Sequence, residues 1–231
     1  MVFRTFGSDL KKVVHEFDKF TRGEHPCFNG RNGLPLVKFD GAKNTKDFRF
    51  KCPEEQIGTN YRLGAGINET VMVLGPDHER VEHDQINQID TDDFTVMRDH
   101  LEIYQTMLET LKKHSVMAVQ EDFPAYKASG FENDRAKLMM VDQADYNTQH
   151  IFFDDNADSA ESCIVDVRDL ITGEAMPYKK FMDMYVVKVH PHRAILENDY
   201  FVKLIEQCEA KRDDEIRRVE AGIAEEEYEQ V

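Results

Sequence analysis

The stretch that most constrains the fold is His150-Ile151-Phe152-Phe153-Asp154-Asp155-Asn156. A short apolar run closed by two adjacent acids predicts a strand over His150–Phe153, buried in a sheet and emerging at its carboxyl edge. In open α/β sheets that edge is where ligands bind. Two neighbouring carboxylates repel each other unless a cation is shared, and the hard oxygens of Asp154 and Asp155 suit Mg²⁺. The same residues also fit a strand that ends in an Asx-turn, with both acids facing solvent.

Strands and helices of ordinary length are predicted elsewhere. Val2–Phe6 reads as a strand that turns through Gly7 and Ser8 into a helix over about Asp9–Thr21, with Ser8 as its N-cap. Short β-like runs follow at Leu36–Phe39, Asp47–Cys52, Tyr61–Leu63 and Thr70–Leu74, and Gly75–Thr91 reads as irregular. The spacing of Met97, Leu101, Tyr104, Leu108 and Leu111 predicts a helix over Phe94–Lys113, capped by Asp92 or Asp93. Further strands are predicted at Val116–Gln120, Leu138–Val141, Cys163–Val167 and Tyr185–Val189. Beyond Pro191 a helix carries Ile195, Leu196, Tyr200, Leu204 and Ile205 on an apolar face. Strand–helix alternation at both ends of a β-rich middle predicts an α/β fold. Its core spans 1–33 and 92–207, a β-rich insertion spans 34–91, and an acidic C-terminal helix or tail spans 208–231.

Charge excludes some partners. The chain has 29 basic and 45 acidic side chains, so its net charge is 29 − 45 = −16. A field of that sign repels nucleic-acid phosphates and anionic membranes, which predicts neither as a partner. Cys27, Cys52, Cys163 and Cys208 form no C-x-x-C pair, which predicts reduced, buried thiols and a cytoplasmic location. The N-terminus has no basic region ahead of a long apolar stretch, and no run approaches the ~20 apolar residues of a membrane span.

Three more residues are candidates for chemistry. Lys137 stands 17 residues before Asp154 and just ahead of a strand, where it can hold a phosphoryl oxygen or neutralise the acids; Lys127 is a second choice. Thr5 closes the first strand beside a helix N-terminus, where oxyanions bind. The nine histidines form no H-E-x-x-H or Cys/His pattern, and His190-Pro191-His192 turns its side chains apart, so the sequence gives no sign of zinc. Neither G-x-G-x-x-G nor G-x-S-x-G occurs.

Thr5 after a first strand, a lysine ahead of a later one, and then Phe152-Phe153-Asp154-Asp155 resemble, in that order, the haloacid dehalogenase superfamily of phosphohydrolases. The likeness covers about Val2–Val189 and implies a Rossmannoid layered sheet with a β-rich, cap-like insert. It implies that Thr5 contacts a transferring phosphoryl group, that Lys137 stabilises its charge, and that Asp154 or Asp155 holds Mg²⁺. It would make the chain a Mg²⁺-dependent phosphatase of a small phosphorylated metabolite. The family's nucleophile motif, D-x-D-x-[T/V], does not occur in these 231 residues, and without an aspartyl nucleophile the phosphoenzyme chemistry cannot run. The alternative is a non-catalytic relative that binds a ligand or a protein partner. If turnover exists, Asp40 or Asp166 would supply the nucleophile. The expected closure of the sheet pairs Val2–Phe6 directly with His150–Phe153 and brings Thr5 close to Asp154.

Overall fold

The computed structural model describes residues 1–31, 33–75, 85–86, 89, 94–160 and 163–222. The chain divides into two compact units, Met1–Phe131 and Glu132–Val231. The boundary falls inside the segment 92–207 that the sequence suggested as one continuous core. Among the described residues, no helix is long and apolar enough to cross a membrane.

The first unit is built on a mixed five-stranded sheet. Strand β1 (Val2–Thr5) leads into helix α1 (Leu10–Arg22), and α2 (Pro53–Gln56) precedes β2 (Ile57–Arg62). Strands β3 (Thr70–Leu74) and β4 (Thr95–Met97) are followed by α3 (His100–His114), β5 (Met117–Glu121) and α4 (Phe123–Ala128). The spatial order is β1-β5-β2-β3-β4. β5 runs parallel to both β1 and β2, while β2–β3 and β3–β4 are antiparallel. Val116, Met117, Ala118 and Val119 are buried, as expected of a strand covered on both faces. Leu10 of α1 packs there with Phe50, Val116 and Ala118, and Phe3, Val14 and Phe17 add to the cluster. Gly58 is required by the β2–β3 approach: a Cβ there would lie 2.4 Å from the carbonyl oxygen of Val73. Gly23 ends α1 at φ 74°, a left-handed conformation that glycine adopts without a Cβ penalty.

Several expectations for this unit change. β1 pairs with Met117–Glu121, not with His150–Phe153, because the apolar β5 supplies the complementary buried edge. β2 and β3 fall within 34–91 yet belong to the same sheet as β1 and β5, so that segment is not a separate β layer. Leu36–Phe39 and Asp47–Cys52 form only the isolated bridges Asn29–Leu36 and Asp40–Asp47. Their aromatics pack against one another and α1 instead: Phe20 meets Phe39 and Phe39 meets Phe48, each at 5.8 Å, and Phe17 meets Phe50 at 6.4 Å. The helix expected from Phe94 begins at His100, since Thr95–Met97 joins the sheet edge against β3. Asp99 caps it, accepting from the N–H groups of Leu101 and Glu102. Asp92 and Asp93, and most of Gly75–Thr91, lie outside the described residues. Asp9 rather than Ser8 occupies the N-cap of α1.

The second unit holds two short parallel ladders. β6 (Lys137–Val141) pairs with β8 (Val165–Asp169), and β7 (Phe152–Asp154) pairs with β9 (Val186–Lys188). Helices α5 (Tyr178–Phe181), α6 (Pro191–Leu196) and α7 (Tyr200–Glu220) complete it. Met139, Val141, Val165, Val167, Phe181 and Val186 form the centre of its core. Of the helix or tail expected from Cys208, the described part is helix: α7 runs through to Glu220, with Cys208 and Arg212 buried on it. Gln149 fastens it by donating to the carbonyls of Met184 (2.8 Å) and Cys208 (3.2 Å). The single helix expected beyond Pro191 is broken into α6 and α7; of its expected apolar face, Ile195 and Leu196 are 80% and 81% exposed, whereas Tyr200 is buried.

Candidate functional site

In the second unit, Lys137 opens β6 and Asp154 closes β7, and the two side chains meet. Lys137 Nζ donates to Asp154 Oδ2 at 2.7 Å, with both side chains more than nine-tenths buried. The ammonium also lies over the Phe152 ring, 5.7 Å from its centroid. The other carboxylate oxygen, Asp154 Oδ1, accepts the backbone N–H of Asn156 at 2.9 Å. That bond is the Asx-turn the sequence allowed, but Asp154 faces the protein rather than solvent. Asp155 is exposed, and its Oδ1 accepts from Asn156 Nδ2 at 2.8 Å. Cys163 belongs to the same unit's core; burial pushes its thiol up, and the carboxylates of Asp154 and Asp166 push in the same direction.

This donor set suits Mg²⁺ in kind. Asp155 and the Asn156 amide offer hard oxygens to solvent, and Mg²⁺ is ordinarily held by one or two carboxylates with several waters retained. Asp154 is engaged on both oxygens, so Asp155 is the carboxylate open to a cation.

The other candidates sit elsewhere. Thr5 ends β1 in the first unit, where its hydroxyl accepts the Gly7 N–H at 2.8 Å and lies 3.5 Å from Asp9 Oδ1. It shapes the turn into α1. The structure places it in a different sheet and a different unit from Asp154. Lys127 is exposed on α4. Asp166 is fully buried and takes both carboxylate bonds from Arg168 Nε, at 3.0 and 2.9 Å. Asp40 accepts the Ala42 N–H at 3.2 Å in a turn.

Two groups in the first unit escaped sequence reasoning. At the carboxyl ends of β1, β5 and β2, Arg4 Nε meets Glu121 Oε1 at 2.5 Å, and Asn60 Nδ2 reaches Glu121 Oε2 at 3.4 Å. Asp122 accepts the backbone N–H groups of Arg62 and Ala125. Asn60, Arg62, Glu121 and Asp122 are buried, yet the polar strand ends that carry them read in sequence like solvated ones. The second group is Cys52, Glu55 and His114, whose ligand atoms lie within 4.8 Å of one another; among the described residues it is the sole three-member cluster of this kind. Glu55 and His114 are 59 residues apart. His190 and His192, the closest pair in sequence, are both exposed around α6.

Searches for similar proteins found no matching family model, no matching curated protein and no matching solved structure.

Proposed function

We propose that Lys137, Asp154 and Asp155 form a site for a small phosphorylated molecule bound together with Mg²⁺, in a protein akin to the haloacid dehalogenase phosphohydrolases. The observation that carries this reading is the 2.7 Å Lys137–Asp154 pair, which joins the two residues that the motif order singled out, with a solvent-facing carboxylate next in sequence. A lysine fixed by a carboxylate holds its positive charge in one place, where it would offset the charge of a phosphoryl oxygen. Asp155 would hold the cation, which supplies charge neutralisation for phosphoryl oxygens when bound. Asn156 steadies both acids through its backbone and side-chain N–H groups.

A second reading, ligand binding without turnover, is favoured by the absence of D-x-D-x-[T/V] and by the engagement of the Thr5 hydroxyl in its own turn. The two readings share the anion site and differ in catalysis. Calorimetric titration of the full chain with inorganic phosphate, with and without Mg²⁺, tests the shared part. Mg²⁺-dependent binding that Asp155→Asn removes, while the circular dichroism spectrum is unchanged, is expected. Phosphate binding that is absent, or indifferent to both Mg²⁺ and Asp155→Asn, would overturn it.

A further inference from the structure

We infer that Cys52, Glu55 and His114 form a binding site for a thiophilic divalent cation, Zn²⁺ above all, that ties α2 to the last residue of α3. The three donors are a sulfur, an imidazole nitrogen and a carboxylate oxygen. Mg²⁺ and Ca²⁺ prefer all-oxygen sets, whereas Zn²⁺ takes this mixture readily.

The geometry is close to what the ion needs. With Zn–S of ~2.3 Å and Zn–N and Zn–O of ~2.0–2.2 Å, tetrahedral ligands stand ~3.4–3.6 Å apart. Here all three ligand atoms lie within 4.8 Å of one another, and His114 Nε2 lies 2.7 Å from Glu55 Oε2. The cation would replace that hydrogen bond by moving each atom a fraction of an ångström. The fourth position faces the open side, since the Glu55 side chain is 40% exposed.

Backbone bonding organises the donors beforehand. Cys52 is the N-cap residue of α2 and Glu55 lies three positions on, so a single helical turn brings their side chains together. The Cys52 N–H donates to Gln56 Oε1 at 2.8 Å, and the Cys52 carbonyl accepts from Glu55 N at 2.9 Å and Gln56 N at 3.0 Å. Gln56, fully buried, is itself anchored through Nε2 to the Val116 carbonyl at 3.1 Å, next to β5. His114, only 7% exposed in its side chain, ends α3 under the Ser115 left-handed cap. These residues need little reordering, which is the main cost of assembling a metal site.

The competing role for Glu55 is an ion pair with Lys113, at 2.7 and 2.8 Å. Lys113 is 60% exposed in its side chain, and such surface pairs contribute little. A dication therefore displaces it, and this yields a test that a purely structural cluster would not satisfy.

Chelator-treated full-length protein is titrated with Co²⁺, followed by Zn²⁺ competition. A near-ultraviolet sulfur-to-cobalt band, lost when Zn²⁺ displaces the Co²⁺, is expected. Cys52→Ser should abolish the band. His114→Gln should weaken binding by at least ~100-fold, beyond the ~10–100-fold that loss of an outer hydrogen-bonding partner costs. Lys113→Met should tighten binding several-fold by freeing Glu55, and it leaves every donor in place, so it reports even if another variant unfolds. Absence of a charge-transfer band, a band that survives Cys52→Ser but not Cys27→Ser, or no gain in Lys113→Met would each overturn the inference.

Discussion

Replacing Lys137 by Met removes one member of a buried pair while keeping most of its volume. At 2.7 Å, unit charges attract by about 6 kcal/mol at an effective dielectric of ~20, before the desolvation of both ions is subtracted. The net value of such a pair is small, but removing one partner strands the other charge in a buried place, at about 3–5 kcal/mol. Asp154 would retain the Asn156 N–H and lose its cation. Asp154→Asn removes the counter-charge of the Lys137 ammonium and should cost a similar amount. The double variant Lys137→Met/Asp154→Asn carries no stranded charge, keeps an acceptor for Asn156, and should lose no more than either single change. The coupling is then at least about 3 kcal/mol, at the upper end for neighbouring residues. Urea unfolding followed by far-ultraviolet circular dichroism measures it, since the chain contains no Trp. Amide exchange in peptides covering β6 and β7 locates the effect. Single variants that each lose under ~1 kcal/mol, with an additive double, would refute the reasoning.

This chain should not hydrolyse a generic phosphate monoester; Mg²⁺-dependent turnover abolished by Asp154→Asn would show otherwise. Asp40 would then be the nucleophile to examine, because Asp166 is fully buried in the grip of Arg168. Bonds from Arg49 hold the Asp47 carboxyl well below the usual carboxylate range against the opposing effect of burial, with Lys51 assisting. A depressed carboxyl stabilises the fold above its unfolded value of about 4 and ceases to do so as pH falls through the folded one. Asp47→Asn should therefore cost about 1–2 kcal/mol near neutrality, and the difference from wild type should shrink in melts below pH ~4. Burial pushes the Cys208 thiol up to about 11 from an ordinary 9.0, which lowers its thiolate fraction ~100-fold. Iodoacetamide with peptide mapping should label the exposed Cys27 first and leave Cys208 untouched until denaturant is added.

Strand existence was largely legible in the apolar runs, and strand ends were not. β6 begins at Lys137 rather than Leu138, and β7 ends at Asp154 rather than Phe153. Apolarity marks what is buried, whereas the ladder extends into any residue whose charge is neutralised locally, and here each residue neutralises the other. Met97 fitted a helical period as well as a strand; its pairing with Met72 decided the matter, and a period cannot reveal a partner. Partner choice also explains β1. Its apolar pattern accepts several neighbours, and only the nonlocal competition among strands selects β5.

The same distinction separates the two candidate sites. Lys137 and Asp154 were visible because strand-end position is a local property: each borders its own apolar run, and a buried end with a charge demands an opposite one. Cys52, Glu55 and His114 were not, because the histidine reaches the other two only through the packing of α3 against α2, 59 residues away. Sequence spacing finds metal sites when the ligands share one turn or hairpin, as Cys52 and Glu55 do. A third donor from another element supplies no period, and a two-member fragment is indistinguishable from an ordinary helix start. Charge pattern misleads further, since Glu55, Lys113 and His114 read as a solvated surface. Burial of the His114 ring turns that surface into an organised donor set.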